Sequence, residues 1–150
     1  MTGTKTRILL AEDNEGDVFL VRRALEKNGV NFDLSVAENG EEAWRILERC
    51  ERSGETRPDL LLLDLNLPRF DGSQILALVG ASEQLRTIPV IVLTSSDSIR
   101  DRDRALSLGA QLFFRKPTEL SAFMDLGRLI KELLAAAPRP AAEYGSRLNA

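Results

Sequence analysis

Histidine is missing from all 150 residues, while cysteine, tryptophan and tyrosine occur once each. Without histidine there is no Ser-His-Asp or Cys-His activation of a nucleophile, and most zinc sites lose a ligand type. The chain also has no imidazole on which to carry a phosphoryl group. The single Cys50 excludes an internal disulfide and a cysteine metal cluster, and it suits a reducing compartment. An excess of basic residues is missing too: 20 Lys+Arg against 23 Asp+Glu leave a formal charge of −3. No positive field is therefore available for nucleic acid or an anionic membrane. No apolar run approaches the length of a membrane span, and residues 1–5 lead into a strand pattern instead of a signal peptide. The expected location is the cytoplasm. Neither a Walker lysine motif nor a dinucleotide fingerprint is found, and there is no internal repeat.

What remains is a chain that is 43% hydrophobic and 29% charged, suited to one core of ordinary domain size. Its centre is Arg57-Pro58-Asp59-Leu60-Leu61-Leu62-Leu63-Asp64, followed by Leu65-Asn66-Leu67-Pro68-Arg69-Phe70-Asp71-Gly72. A continuous leucine run between turn signals reads as a short strand buried on both faces, the central position of a parallel sheet. Asp64 lies where that strand runs out, at the carboxyl edge where open α/β sheets bind ligands. The plainer reading of Asp64 is a turn residue capping the next helix.

Strand patterns recur at Arg7-Ile8-Leu9-Leu10-Ala11, at Asn31 to Ala37 with period two, at Ile88 to Leu93 and at Leu112 to Arg115. Helical spacing follows each one. Val18, Val21, Ala24 and Leu25 mark the first helix, ended by Asn28-Gly29, and Ala43, Ile46, Leu47 and Cys50 mark the second, opened by a capping pattern from Asn39 to Glu42. Asp71-Gly72-Ser73 opens a third helix carrying Ile75, Leu76, Leu78 and Val79, a fourth runs from Arg100 to Leu108, and a long fifth covers Glu119 to Ala136. Five strands alternating with five helices predict an α/β fold built on a doubly wound parallel sheet.

Parallel strands place their ends on one edge, so Glu12-Asp13, Asp64, Thr94 and Lys116 converge there. Carboxylates this close repel, so one protonates or a cation sits among them. An all-oxygen site open to water suits Mg²⁺. A carboxylate beside such an ion can attack phosphorus, with Lys116 and Thr94 placed to meet the phosphoryl oxygens.

An acidic pair, then Asp, then Ser/Thr, then Lys-Pro after successive strands resembles the receiver domain of two-component response regulators. The motif is met by Glu12-Asp13, Asp64, Thr94 and Lys116-Pro117 over roughly residues 5–136, together with Leu65-Asn66-Leu67-Pro68 and Asp71-Gly72. The resemblance implies a (βα)5 flavodoxin-like, CheY-like fold with strand order 2-1-3-4-5. It implies Asp64 as phosphoacceptor, and Glu12, Asp13, Asp64 and the backbone carbonyl of Asn66 as Mg²⁺ ligands. Thr94, Lys116 and Phe113 become the phosphoryl-binding and switch residues, and Asn66 and Ser96 occupy the positions that tune dephosphorylation. Where the family often has tyrosine, Phe113 can fill the vacated space but has no hydroxyl to donate; a plain core role is the alternative. The Lys116–Pro117 bond is expected to be cis. Asp71 and Asp97 are read as structural, Asp97 as the cap of the fourth helix.

The partner implied is a histidine kinase donating in trans to a protein that assists its own phosphorylation and dephosphorylation but is not otherwise an enzyme. Loop character, including Asp17-Val18 and the insert before the third strand, looks like small regulators paired with phytochrome-type kinases. Residues 1–137 are expected to form a single receiver domain, and the Pro/Ala-rich 138–150 either a disordered end or a dimer arm docking through Tyr144 and Leu148.

On a helical projection of the fifth helix, Leu120, Phe123, Met124, Gly127, Ile130 and Leu134 form a core stripe. Ala122, Leu126, Leu129 and Leu133 form a second stripe, and the two together span about 220°. Leu126, Leu129 and Leu133 are therefore expected at a homodimer interface, with the fourth helix, fifth strand and tail contributing. Two other functions compete: a phosphate-independent interaction module on the same fold, and a flavodoxin-like FMN carrier. The second lacks a phosphate loop after the first strand, where Glu12-Asp13 would repel it.

Overall fold

In the computed structural model, Thr6–Ala11 (β1), Phe32–Ala37 (β2), Leu60–Asp64 (β3), Val90–Thr94 (β4) and Leu112–Arg115 (β5) form one sheet in the order β2-β1-β3-β4-β5. All four pairings are parallel. The structure describes residues 4–53 and 57–136; Gly54 of the polar loop and the tail 138–150, with Tyr144 and Leu148, lie outside the described residues. The helical segments are Glu15–Lys27 (α1), Gly40–Ser53 (α2), Gly72–Ala81 (α3), Ile99–Ser107 (α4), Leu120–Phe123 (α5) and Asp125–Ala135 (α6).

Alternation along the strands sorts the core into two layers. Ile8, Leu10, Leu60, Leu62, Ile91 and Leu93 face one side, where α1, α5 and α6 cover them. Leu9, Leu61, Leu63, Val90 and Val92 face the other, under α2, α3 and α4. Every residue of β3 and β4 is buried, whereas edge strand β2 alternates. The ladder runs one residue past β1, with Glu12 N–H donating to the Ala37 carbonyl, and past β5, with Lys116 N–H donating to that of Thr94. By the same alternation Glu12, Asp64 and Lys116 belong to the α1 side, and Thr94 with Phe113 to the other.

Local chemistry sets the helix ends. Asn14 accepts from the Asp17 N–H at 2.9 Å to cap α1, and Asn28 with left-handed Gly29 (φ 70°) closes it. Asp71 forms a full capping box with Gln74, which bears out its structural reading. At α2 the Asn39 side chain caps Glu42, but the return bond from Glu42 goes to the Glu38 N–H.

Four expectations need correction. The cap of α4 is Ser98, whose hydroxyl accepts from Asp101; Asp97 instead faces Arg115 at 3.7 Å. No peptide bond among the described residues is cis, so Lys116–Pro117 is trans, the isomer that a bond to proline still favours, and it delivers Lys116 to the strand edge all the same. The long last helix is two segments. The Met124 carbonyl accepts from Asn28 Nδ2 at 3.1 Å and from the Gly127 N–H, a tight i+3 bond that interrupts the ladder. The core stripe keeps its phase across this junction, with Phe123 and Met124 before it and Gly127 and Ile130 after it all buried. Leu126, expected on the outward stripe, is fully buried in the core with Gly127 and Ile130, while Leu120, expected inside, is 60% exposed. Leu126 is thereby removed from any interface; Leu129 and Leu133 are half-buried.

Candidate functional site

Four consecutive positions in the sheet order β1-β3-β4-β5 end in a polar group on the same edge. Glu12 and Asp64 are almost wholly buried, Asp13 is exposed, and one carboxylate oxygen from each lies within 4.8 Å of the others. Lys116 Nζ reaches across to Glu12 Oε1 at 2.7 Å and Asp64 Oδ2 at 3.1 Å, and also to Asp17 Oδ2 at 2.8 Å. Its side chain is only 9% exposed. The remaining oxygens of the buried acids are held by the chain itself: Glu12 Oε2 accepts from the Asn14 N–H at 3.2 Å and Asp64 Oδ1 from the Asn66 N–H at 2.9 Å. Both acids are thus aimed by the turn that leaves their own strand.

Burial pushes the Glu12 carboxyl up to about 7; the Lys116 bond opposes the rise and the neighbouring Asp64 charge adds to it. Burial pulls the Lys116 ammonium down, but its bonds to Asp17 and Glu12 outweigh that, and its pKa ends above the usual lysine range. The two outcomes share one origin. Lysine recovers its lost hydration from several carboxylates, whereas Glu12 has one cation and a like charge beside it.

Thr94 is fully buried on the opposite side of β4. Its Oγ1 accepts from the Ser96 N–H at 3.1 Å and from Asn66 Nδ2 at 3.4 Å. With both acceptor positions engaged, its own proton is left to donate. Phe113 is half-buried against the α3–α4 layer, on the same side as Thr94. The Ser96 hydroxyl bonds Asp101 at 2.7 Å and receives the Ser98 N–H, which commits it to the start of α4. Asp71 and Asp97 stand outside this group, in a helix cap and an exposed ion pair.

The acid cluster passes a simple test for a hard divalent cation. Its donors are all oxygen, two are buried and preoriented, and the third opens to water, where a Mg²⁺ ion keeps part of its hydration shell. Asp17 is the site residue that the motif did not mark. Only its phase could have flagged it: one turn into the helix that covers the α1 side, facing the strand ends that share that side.

The family of response regulator receiver domains matches residues 8–126. FilR2 of Methanothrix harundinacea, a probable methanogenesis regulatory protein, is 39% identical over 126 residues, 84% of this chain and 79% of that one. Response regulator Rcp1 of a Synechocystis strain is 34% identical over 125 residues, 83% of each chain. Among solved structures, the Mn²⁺-bound form of Rcp1 matches with a TM-score of 0.78 at 31% identity, covering 90% of this chain and 99% of that one. The phosphorylated cyanobacterial phytochrome response regulator RcpA matches with a TM-score of 0.79 at 33% identity, covering 89% and 96%. This chain belongs to the response regulator receiver domain family.

Proposed function

We propose that the protein is a response regulator of a two-component phosphorelay, with Asp64 as the residue that takes the phosphoryl group. The observation that carries this reading is Lys116 bridging Glu12 and Asp64 in a buried site one strand away from the Thr94 hydroxyl. An oxygen of Asp64 forms a bond to phosphorus as the P–N bond of a kinase phosphohistidine breaks. The electron pair of that bond leaves with the imidazole, which departs neutral where its other nitrogen already carries a proton and otherwise takes one from solvent. Asn66 N–H holds the carboxylate in place, and the ammonium and the Thr94 hydroxyl receive the equatorial oxygens. Glu12, Asp13, Asp64 and the Asn66 carbonyl would hold Mg²⁺, which when bound neutralises charge on the transferring group.

Residues 1–137 are the receiver in this reading and 138–150 a tail, in a cytoplasmic signalling protein. RcpA is described as a phytochrome response regulator and supports a phytochrome-type kinase as the donor. The output face comprises α4, β5, α5 and α6. Between α4 and β5 runs a groove of about 450 Å³ lined by Ser96, Ile99, Arg102, Leu106 and Phe113, with Ile99 strongly exposed. Thr94 moving toward a phosphoryl oxygen would let Phe113 turn inward from this groove. Self-association through this face, with Leu129 and Leu133 at its border, predicts that sedimentation of the phosphorylated protein gives a dimer and that Leu129→Glu weakens it; a monomer under both conditions would exclude self-association.

Intact mass after incubation with Mg²⁺ and acetyl phosphate tests the proposal. One phosphoryl adduct is expected, absent with EDTA and absent in Asp64→Asn. No adduct on the parent chain would move the function to phosphate-independent partner binding.

A further inference from the structure

An ammonium has three N–H donors, and on Lys116 each has its own carboxylate: Glu12 at 2.7 Å, Asp17 at 2.8 Å and Asp64 at 3.1 Å. Two of these acids belong to the cluster sized for a cation; Asp17 does not. A divalent ion on Glu12 and Asp64 therefore removes two of the lysine's three acceptors and repels the ammonium directly. A flexible, strongly hydrated lysine in that position would swing out to water. Asp17 is fixed against that movement. It stands on the first turn of α1 with its own N–H held by Asn14 Oδ1 at 2.9 Å, and its side chain is 25% exposed, at the rim of the site.

We propose that Asp17 is the positioning residue for Lys116: it keeps one N–H of the ammonium when the cation takes Glu12 and Asp64, and so turns the other two toward the phosphoryl oxygens on Asp64. The inference rests on the function proposed above. Asp17 touches no reacting atom. Its effect passes through the lysine, whose charge would otherwise be lost from the site at the moment the metal loads.

The direct test observes the Lys116 ε-ammonium of the full chain by ¹⁵N-edited NMR, with and without MgCl₂ and with no phosphodonor. In the parent protein a slowly exchanging signal is expected under both conditions. In Asp17→Ala it is expected without Mg²⁺, held by Glu12 and Asp64, and lost on saturation; Asp17→Glu restores it. The metal-free signal doubles as the folding control. Persistence of the signal in Mg²⁺-saturated Asp17→Ala, its loss from the parent protein on adding Mg²⁺, or its absence from metal-free Asp17→Ala would each overturn the proposal.

A rate measurement separates positioning from simple charge. With saturating Mg²⁺ and acetyl phosphate, Asp17→Ala should lower the limiting rate of adduct formation about tenfold. The half-saturating phosphodonor concentration should not rise, because losing a negative charge favours an anionic donor. An unchanged limiting rate would mark Asp17 as a bystander charge. Failure of the phosphorylation reading itself would show separately, as no adduct on the parent chain while the ammonium signals stand.

Discussion

Glu12 and Lys116 are neighbours in the same buried site, yet burial makes Glu12 easier to neutralise while its carboxylate bonds keep Lys116 firmly charged. The difference has a consequence for metal binding. A Glu12 carboxyl pushed up to about 7 holds a proton through much of the neutral range, and a cation must displace it. Apparent Mg²⁺ affinity should therefore weaken as pH falls through about 7, approaching a tenfold loss per unit below it. Calorimetric titration on either side of neutrality, in buffers of different ionisation enthalpy, would read both the affinity and the released proton. Affinity independent of pH with no proton release would contradict the burial argument. In the metal-free protein the sign for stability is opposite to that of an ordinary ion-paired acid. Because the folded value lies above the usual 4.5, this group favours the fold most at low pH and loses that contribution as pH rises through about 7.

Among the elements, α1 is held at both ends to the far side of the chain. Lys116 meets Asp17 at its start, and at its end Asn28 Nδ2 binds the carbonyls of Ala24 and Met124. Between them α6 approaches so closely that a Cβ on Gly127 would overlap the Ala24 carbonyl oxygen and Asn28 Nδ2. Alanine normally improves a helix interior by about 1 kcal/mol over glycine. Here the contact decides the sign: Gly127→Ala must push α1 from α6 and should destabilise by about 2 kcal/mol or more. Urea unfolding midpoints would measure it, and a midpoint equal to or above the parent's would refute the close packing. The same region shows why the last helix was only half legible in sequence. Period 3.6 locates a stripe but not how wide a face the neighbouring helix covers. Leu126, on the flank of the core stripe, is buried in the same cluster as Val21, Ala24 and Leu25 of α1, while Leu120 is the exposed first residue of α5. Asp97 and Ser98 posed a smaller version of the problem, since either can cap and only the turn geometry chooses.

In the molecule as a whole, most of the architecture was legible because it depends on short-range patterns. Leu60 to Leu63, short and bounded by turn signals, read as a strand covered on both faces, and the βα alternation then placed Glu12, Asp64, Thr94 and Lys116 on one edge. Asp17 was not legible, because a helix residue enters the site through its phase against the sheet, which no spacing in the motif records. Phe70 is a similar case. Its ring meets Trp44 edge-on at 4.6 Å, and its backbone fills the space where Gly40 lacks a Cβ, so the loop after Asp64 is docked on α2 by contacts far apart in sequence. The phosphoacceptor assignment draws on all of these layers, and reductive trapping tests it most directly. Borohydride converts an aspartyl phosphate to homoserine, so the protein treated with Mg²⁺ and acetyl phosphate would be reduced, digested and sequenced by mass spectrometry. Homoserine at position 64 and nowhere else is the predicted result. Homoserine at position 13, 71 or 97, with residue 64 unchanged, would contradict it.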